Sequence, residues 1–217
     1  MAAPGAVVMA KMMLTQTESF QSDIKIPRDA AGSNVLDSLA NGTSQGLKIA
    51  VNVGATLLVF IAFIYLINFI LLKIGDWTSL NPIIVNITNG QYQSLSMQFI
   101  LGYTLSPFIW LLGVGKHDMV LVGQLFGEKI IMNEMVGYIS LKDFMTAGVF
   151  SDPKSILIAI YALCGFANFS SVGIQIGGIG ALAPEQRQLL TKFGLRAMLA
   201  GGMASLVSAS MIGMILG

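Results

Sequence analysis

Two short segments place polar chemistry inside apolar sequence. Gly127 to Tyr138, GEKIIMNEMVGY, carries Glu128, Lys129, Asn133 and Glu134, and Cys164 to Ser171, CGFANFSS, carries Asn168, Ser170 and Ser171. Asn133 and Glu134 with Asn168, Ser170 and Ser171 make a carboxylate, two amides and two hydroxyls, a set suited to a neutral polyhydroxylated solute. Glu134 can accept from two adjacent hydroxyls, as in a ribose diol, and Asn168 can both donate and accept. Such a site rejects an analogue lacking a hydroxyl, because its own buried polar atoms are then left unsatisfied. Phe166 is either an apolar wall for a ring or a core residue. Lys129, one turn before Asn133, is read as structural, paired with Glu128 or with a helix C-terminal carbonyl.

These residues need explaining because the rest of the chain reads as membrane-embedded. Hydrophobic residues make up 54% of its 217 positions, charged residues only 11%, and the mean hydropathy is +0.75. Soluble domains carry about 25% charged residues. A net charge of +1, with the twelve Lys and Arg spread thinly, argues against nucleic acid as a partner. The single Cys164 excludes an internal disulfide, and the single His117, flanked by Lys116 and Asp118, lacks companions for a metal site. No phosphate loop, metal-spaced set or nucleophile with its base is present, so the sequence does not read as an enzyme. MAAPGAVVMAKMM lacks the basic lead of a signal peptide and resembles the tail of a helix begun elsewhere.

The positioning elements predict an all-α membrane protein. Residues 1–13 read as the end of a preceding helix, and residues 34–74 as an interfacial lead-in followed by a spanning helix over the apolar run Ile49 to Leu72. Asn52 and Asn68 on that run read as interhelical hydrogen bonds or end markers. A loop holding Asp76, Asn81, Pro82, Asn89 and Gly90 leads to a second span over 95–114, with a kink expected at Pro107 and interfacial anchoring at Trp77 and Trp110. Residues 118–150 carry too much charge for a lipid-facing span, so they read as a re-entrant hairpin whose arms meet near Asn133. Residues 155–183 read as a discontinuous helix broken at Gly165 to Ser171. Gly173 to Gly180 in its second half are read as packing glycines. A last span occupies 194–217, with small residues from Gly201 to Ala209 for close helix contact. Arg187, Lys192 and Arg196 read as a basic cytoplasmic loop, which puts the C-terminus outside.

The residues also resemble a known family. Gly127, Lys129, Asn133, Glu134 and Val136 are similar to the Gly-x-Lys-x-x-x-Asn-Glu-Phe-Val-Ala signature of concentrative nucleoside transporters, and CGFANFSS resembles the family's second conserved segment. Order and separation match, and the resemblance runs along essentially the whole chain. Met135 stands where the family commonly has Phe, and Gly137 where it has Ala. The resemblance implies the C-terminal half of an inverted-repeat, homotrimeric symporter of the bacterial inner membrane. It further implies nucleoside uptake driven by a cation, sodium or proton, through elevator-like movement. The ribose-contacting positions fall on Glu134, Asn168 and Ser171, with Asn133 and Ser170 in support and Phe166 beside the solute. The main ion site and the nucleobase contacts belong to an N-terminal half that this chain does not include, so the chain alone is expected not to transport. A re-entrant-loop channel and a non-transporting membrane subunit are the competing readings.

Overall fold

The computed structural model describes residues 2–14, 34–88, 90 and 92–217. Pro27, Gly32 and Asn89 of the expected connections lie outside these. The described residues form nine α-helices: α1 (Ala2–Met13), α2 (Val35–Trp77), α3 (Leu80–Ile87), α4 (Met97–Leu111), α5 (Met119–Ile131), α6 (Glu134–Thr146), α7 (Pro153–Leu163), α8 (Phe169–Leu182) and α9 (Arg187–Ile215).

The lead-in and the first span are one continuous helix. Asn34 starts α2 by accepting from the Asp37 amide at 2.9 Å, and no break separates the polar first turns from the apolar run. Many of its apolar residues face outward, with Leu58, Phe63, Tyr65, Phe69 and the terminal Trp77 all exposed, while Ile64 is buried. The expected loop after it contains a helix of its own, α3, bent by 99° from the end of α2. Asn81 holds that corner. Its amide donates to Leu72 O at 3.1 Å and to Asp76 Oδ1 at 2.7 Å, while its oxygen accepts from Leu95 N at 2.8 Å.

The expected span at 95–114 is shorter in the structure. At 15 residues, α4 is ~22 Å long, less than a hydrocarbon core of ~30 Å. Asn68 of α2 meets its start, accepting from Met97 N at 2.9 Å and donating to Gln98 Oε1 at 3.1 Å. Pro107 lies inside the helix and leaves the Tyr103 carbonyl without its usual amide partner. The Ser106 hydroxyl takes that carbonyl at 2.9 Å, which keeps the helix intact through the proline.

α5 and α6 form an antiparallel pair. Gly137 of α6 packs beside the Leu125 carbonyl of α5, and the two ends of the pair meet at Asp118. The Asp118 carboxylate accepts from Ser151 N at 2.9 Å and Asp152 N at 3.1 Å. Chain direction therefore reverses at Met132 and Asn133, and the hairpin closes at its base.

The buried core is built from Ile109, Val122, Leu125, Phe126, Leu141, Ile158, Leu163 and Ala209, contributed by α4, α5, α6, α7 and α9. α9 begins earlier than expected. Arg187, Lys192 and Arg196 sit in its first turns rather than in a loop, because the preceding Pro184–Gln186 turn starts the helix at once. Pro184–Ile215 is a continuous helical stretch long and apolar enough to cross a membrane. The packing role expected of Gly173 to Gly180 is not general: Gly180 approaches Arg187, whereas a side chain at Gly177 or Gly178 would meet open space.

Candidate functional site

Each arm break is stabilised by a side chain that caps the helix after it. Asn133 is the N-cap of α6, its side chain accepting from Val136 N at 3.0 Å. Asn168 is the N-cap of α8, its oxygen accepting from Ser171 N at 2.7 Å. Asn is among the best N-cap residues because its short side chain reaches an otherwise unpaired amide. The same choice therefore starts each second helix and leaves an amide group at the break.

The two breaks are joined. Asn168 Nδ2 donates to Glu134 Oε2 at 3.1 Å, linking the first turn of α6 to the start of α8. Asn168 Oδ1 also accepts from the Ser170 and Ser171 hydroxyls, each at 2.7 Å. Ser170 Oγ is 3.0 Å from the Met132 carbonyl as well, and with one proton it donates to one acceptor at a time. Asn168, only 1% exposed, thus stands at the centre of a network from both breaks, while Glu134, Asn133 and Ser171 are half-buried.

Lys129 is 0% exposed and serves the break between α7 and α8. Its ammonium donates to Ala162 O at 2.8 Å and Ser205 Oγ at 3.0 Å, and lies 5.1 Å from the centre of the Phe126 ring. The Ala162 carbonyl belongs to the last turn of α7, where a cation is favoured by the unpaired carbonyls. Of the two partners open in sequence, the structure selects the carbonyl. Glu128 is not the partner, because neighbours on a helix point about 100° apart and Glu128 turns to Gln124 at 2.8 Å.

Gly165 completes this corner. Its φ of +143° suits glycine, and an added Cβ would lie 2.7 Å from Ser205 Oγ. Ser205, read in sequence as a small packing residue, is therefore a working member of the site. Its hydroxyl accepts from Lys129 and lies 3.1 Å from Cys164 O and 3.2 Å from Gly201 O. A hydroxyl in a stretch rich in small residues was the signal available for it.

A cavity of about 290 Å³ opens on the break, lined by Phe166, Asn168 and Ser171 together with Gln175 of α8, Ala3 and Ala6 of α1 and the Gly194 to Ser205 face of α9. Phe166 is 77% exposed in this chain and lines the cavity, so it is not part of the core formed by the described residues. Glu134 and Asn133 do not line this cavity; Glu134 reaches it through Asn168.

These residues do not fit a sodium ion. Among the described residues, no group of three His, Cys, Asp or Glu could hold a metal. The break oxygens are already engaged by donors, Ala162 O by Lys129 and Asn168 Oδ1 by the amide and hydroxyl of Ser171, while the Ser170 proton goes to either Asn168 Oδ1 or Met132 O. An ammonium group stands where a free cation would find carbonyls.

Comparison with known proteins agrees with this architecture. Residues 1–213 match the family described as Na+ dependent nucleoside transporter C-terminus. The chain belongs to the concentrative nucleoside transporter family. It is 40% identical to the uncharacterised transporter YutK of Bacillus subtilis, over 99% of this chain and 50% of that protein. It is 34% identical to the nucleoside permease NupC of Helicobacter pylori, over 100% of this chain and 49% of the permease. Its fold matches CNTnw in an intermediate state with a TM-score of 0.84 at 34% identity, covering 100% of this chain and 50% of CNTnw. The chain spans about half the length of these relatives, which are transporters and permeases rather than enzymes.

Proposed function

We propose that this chain is the ribose-facing half of a nucleoside transporter, acting by cation-coupled symport into the cell. The observation that carries the reading is the joint of Glu134, Asn168 and Ser171, which gathers a carboxylate, an amide and a hydroxyl where two helices are interrupted. Glu134 accepts from a ribose diol while the Asn168 amide orients its carboxylate, and the Ser171 hydroxyl supplies a further contact. Phe166 offers its exposed ring as a wall beside the solute. Asn133 and Ser170 fix the two breaks, and Lys129 neutralises the C-terminal end of α7.

In a membrane, irregular backbone is tolerated where it is buried in protein or lines a cavity, so α5 and α6 are assigned as a re-entrant hairpin and α7 and α8 as a broken helix. The outward apolar face of α2 suits lipid or a second copy in a homotrimer, and an elevator-like movement against that helix would carry the joint across. The basic start of α9 favours the cytoplasm, placing the C-terminus outside a bacterial inner membrane. The nucleobase contacts and the main coupling-cation site are assigned to the other half of an inverted repeat, so this half is not active alone.

The test is Glu134→Gln in the full-length transporter. Nucleoside affinity is expected to fall by at least about tenfold, or ~1.4 kcal/mol, with assembly retained; unchanged affinity sinks the assigned role. Counterflow separates a carrier from a pore, because preloaded unlabelled nucleoside accelerates labelled entry only in a carrier.

A further inference from the structure

Glu128 is a buried ionisable side chain near the hairpin tip that the joint does not use. It is 7% exposed and lies on the last turn of α5, facing away from Lys129. Oε1 accepts from Gln124 Nε2 at 2.8 Å, and Gln124 in turn accepts from the Tyr92 hydroxyl at 2.8 Å. Oε2 is buried and has no hydrogen-bond partner; Ser140 of α6 interacts with the carboxyl group without bonding to that oxygen. The space beside it is about 10 Å³ and is lined by Ile64 of α2, Gln98 and Leu101 of α4, and Ile131 and Met132.

From this geometry we infer that Glu128 is a proton-binding site, holding a neutral carboxylic acid at the contact between the hairpin and α2 and α4. A buried carboxylate without a cationic partner is too costly to keep charged, and it either binds a cation or protonates. The groups around it decide between these. Lys129 has committed its ammonium to Ala162 and Ser205, Glu134 lies beyond the hairpin tip, and Tyr92 is spent on Gln124. Ile64, Gln98 and Leu101 on α2 and α4 do not titrate. The space holds at most about one water and cannot admit a basic side chain from elsewhere or a sodium ion with its five or six oxygen ligands. A proton needs no room. One O–H bond forms at Oε2 as one breaks in a hydronium ion, and no other group changes.

This site rests on the transporter reading only for its consequence. Any displacement of the hairpin from α2 opens the space to water, where the carboxylate is stable and the proton leaves. Proton release would then accompany the movement.

The decisive experiment is infrared difference spectroscopy of the full-length protein across a pH titration, which requires no substrate and so stands apart from the transport assays. The wild type is expected to show a protonated-carboxyl stretch at neutral pH that is lost in Glu128→Gln. In Gln124→Leu, which removes the donor to Oε1, that signal should persist to higher pH than in the wild type. Identical wild-type and Glu128→Gln spectra overturn the proposal, as does an ionised Glu128 beside a water, which gives no such stretch. If Glu128→Gln does not assemble, the Gln124→Leu titration decides, and an unmoved signal overturns it.

Discussion

Asn168 Nδ2 donates to Glu134 Oε2 at 3.1 Å, so one hydrogen bond spans the two places where the helices are interrupted. Both ends it joins are helix N-termini, whose unpaired amides favour negative charge, and the carboxylate of Glu134 lies between them. Asn168 caps its own helix with its oxygen and positions Glu134 with its nitrogen. The two duties are separable by mutation.

Asn168→Ser retains an N-cap oxygen but removes the donor to Glu134, whereas Asn168→Ala removes both. Nucleoside affinity of the full-length protein should fall by about tenfold or more in each variant. Thermal stability should fall further in Asn168→Ala, by the ~1 kcal/mol typical of a lost cap. Calorimetric titration and thermal unfolding read the two effects, and equal stability of the two variants would argue against the capping role.

Lys129 makes no contact with the cavity that Phe166 lines, so its substitution should act on stability first. Lys129→Met fills similar space but leaves Ala162 O and the Ser205 hydroxyl without their donor. Each unsatisfied buried group costs about 1–3 kcal/mol, and a lowered unfolding temperature is expected. Lys129→Arg should not rescue it, because the planar guanidinium does not fit a site built for one ammonium beside Gly165. Wild-type stability in Lys129→Met would refute this.

Phe166→Ala should do the reverse. The ring is 77% exposed in this chain and packs little against its described residues, so the stability of the chain should stay within about 0.5 kcal/mol. Binding should weaken by the lost ring contact, measurable as a rise in nucleoside Kd. A folding defect with unchanged Kd would return Phe166 to the core.

The sequence exposes the two breaks clearly because buried polar residues in apolar runs have few explanations. Asn133 and Asn168 stand out for the same reason, and each is both a cap and a polar group at the break. Other features were illegible for identifiable reasons. The continuity of α2 is hidden because its polar first turns and apolar later turns look like two elements, although helical hydrogen bonding does not depend on which face is apolar. The shortness of α4 is hidden because Gly113 and Val114 extend its apolar run past the helix end. The role of Ser205 is hidden because a serine in a small-residue stretch, like Ser208 near it, has the same appearance whether it packs or receives Lys129. The direction of Glu128 follows only once α4 is known to lie on that side.

Glycine positions offer a test of how rigidly the hairpin is held. At Gly123 of α5 an added Cβ would lie 2.6 Å from the Gly102 carbonyl and 3.3 Å from Ser106 N, both of them backbone atoms of α4. No side chain can move aside, so Gly123→Ala must push the two helices apart, at a cost of about 1–3 kcal/mol. Because α5 ends at the break that Asn168 and Ser170 hold, the displacement should also reach Glu134 and weaken nucleoside binding. Gly177→Ala in α8 is the control, since nothing lies within 4 Å of its added Cβ. There the higher helix propensity of alanine, worth up to about 1 kcal/mol, should leave stability unchanged or raised. Thermal unfolding of the two variants should therefore move in opposite directions or leave Gly177→Ala level, and a Gly123→Ala protein as stable as the wild type would show that α4 and α5 are not in backbone contact.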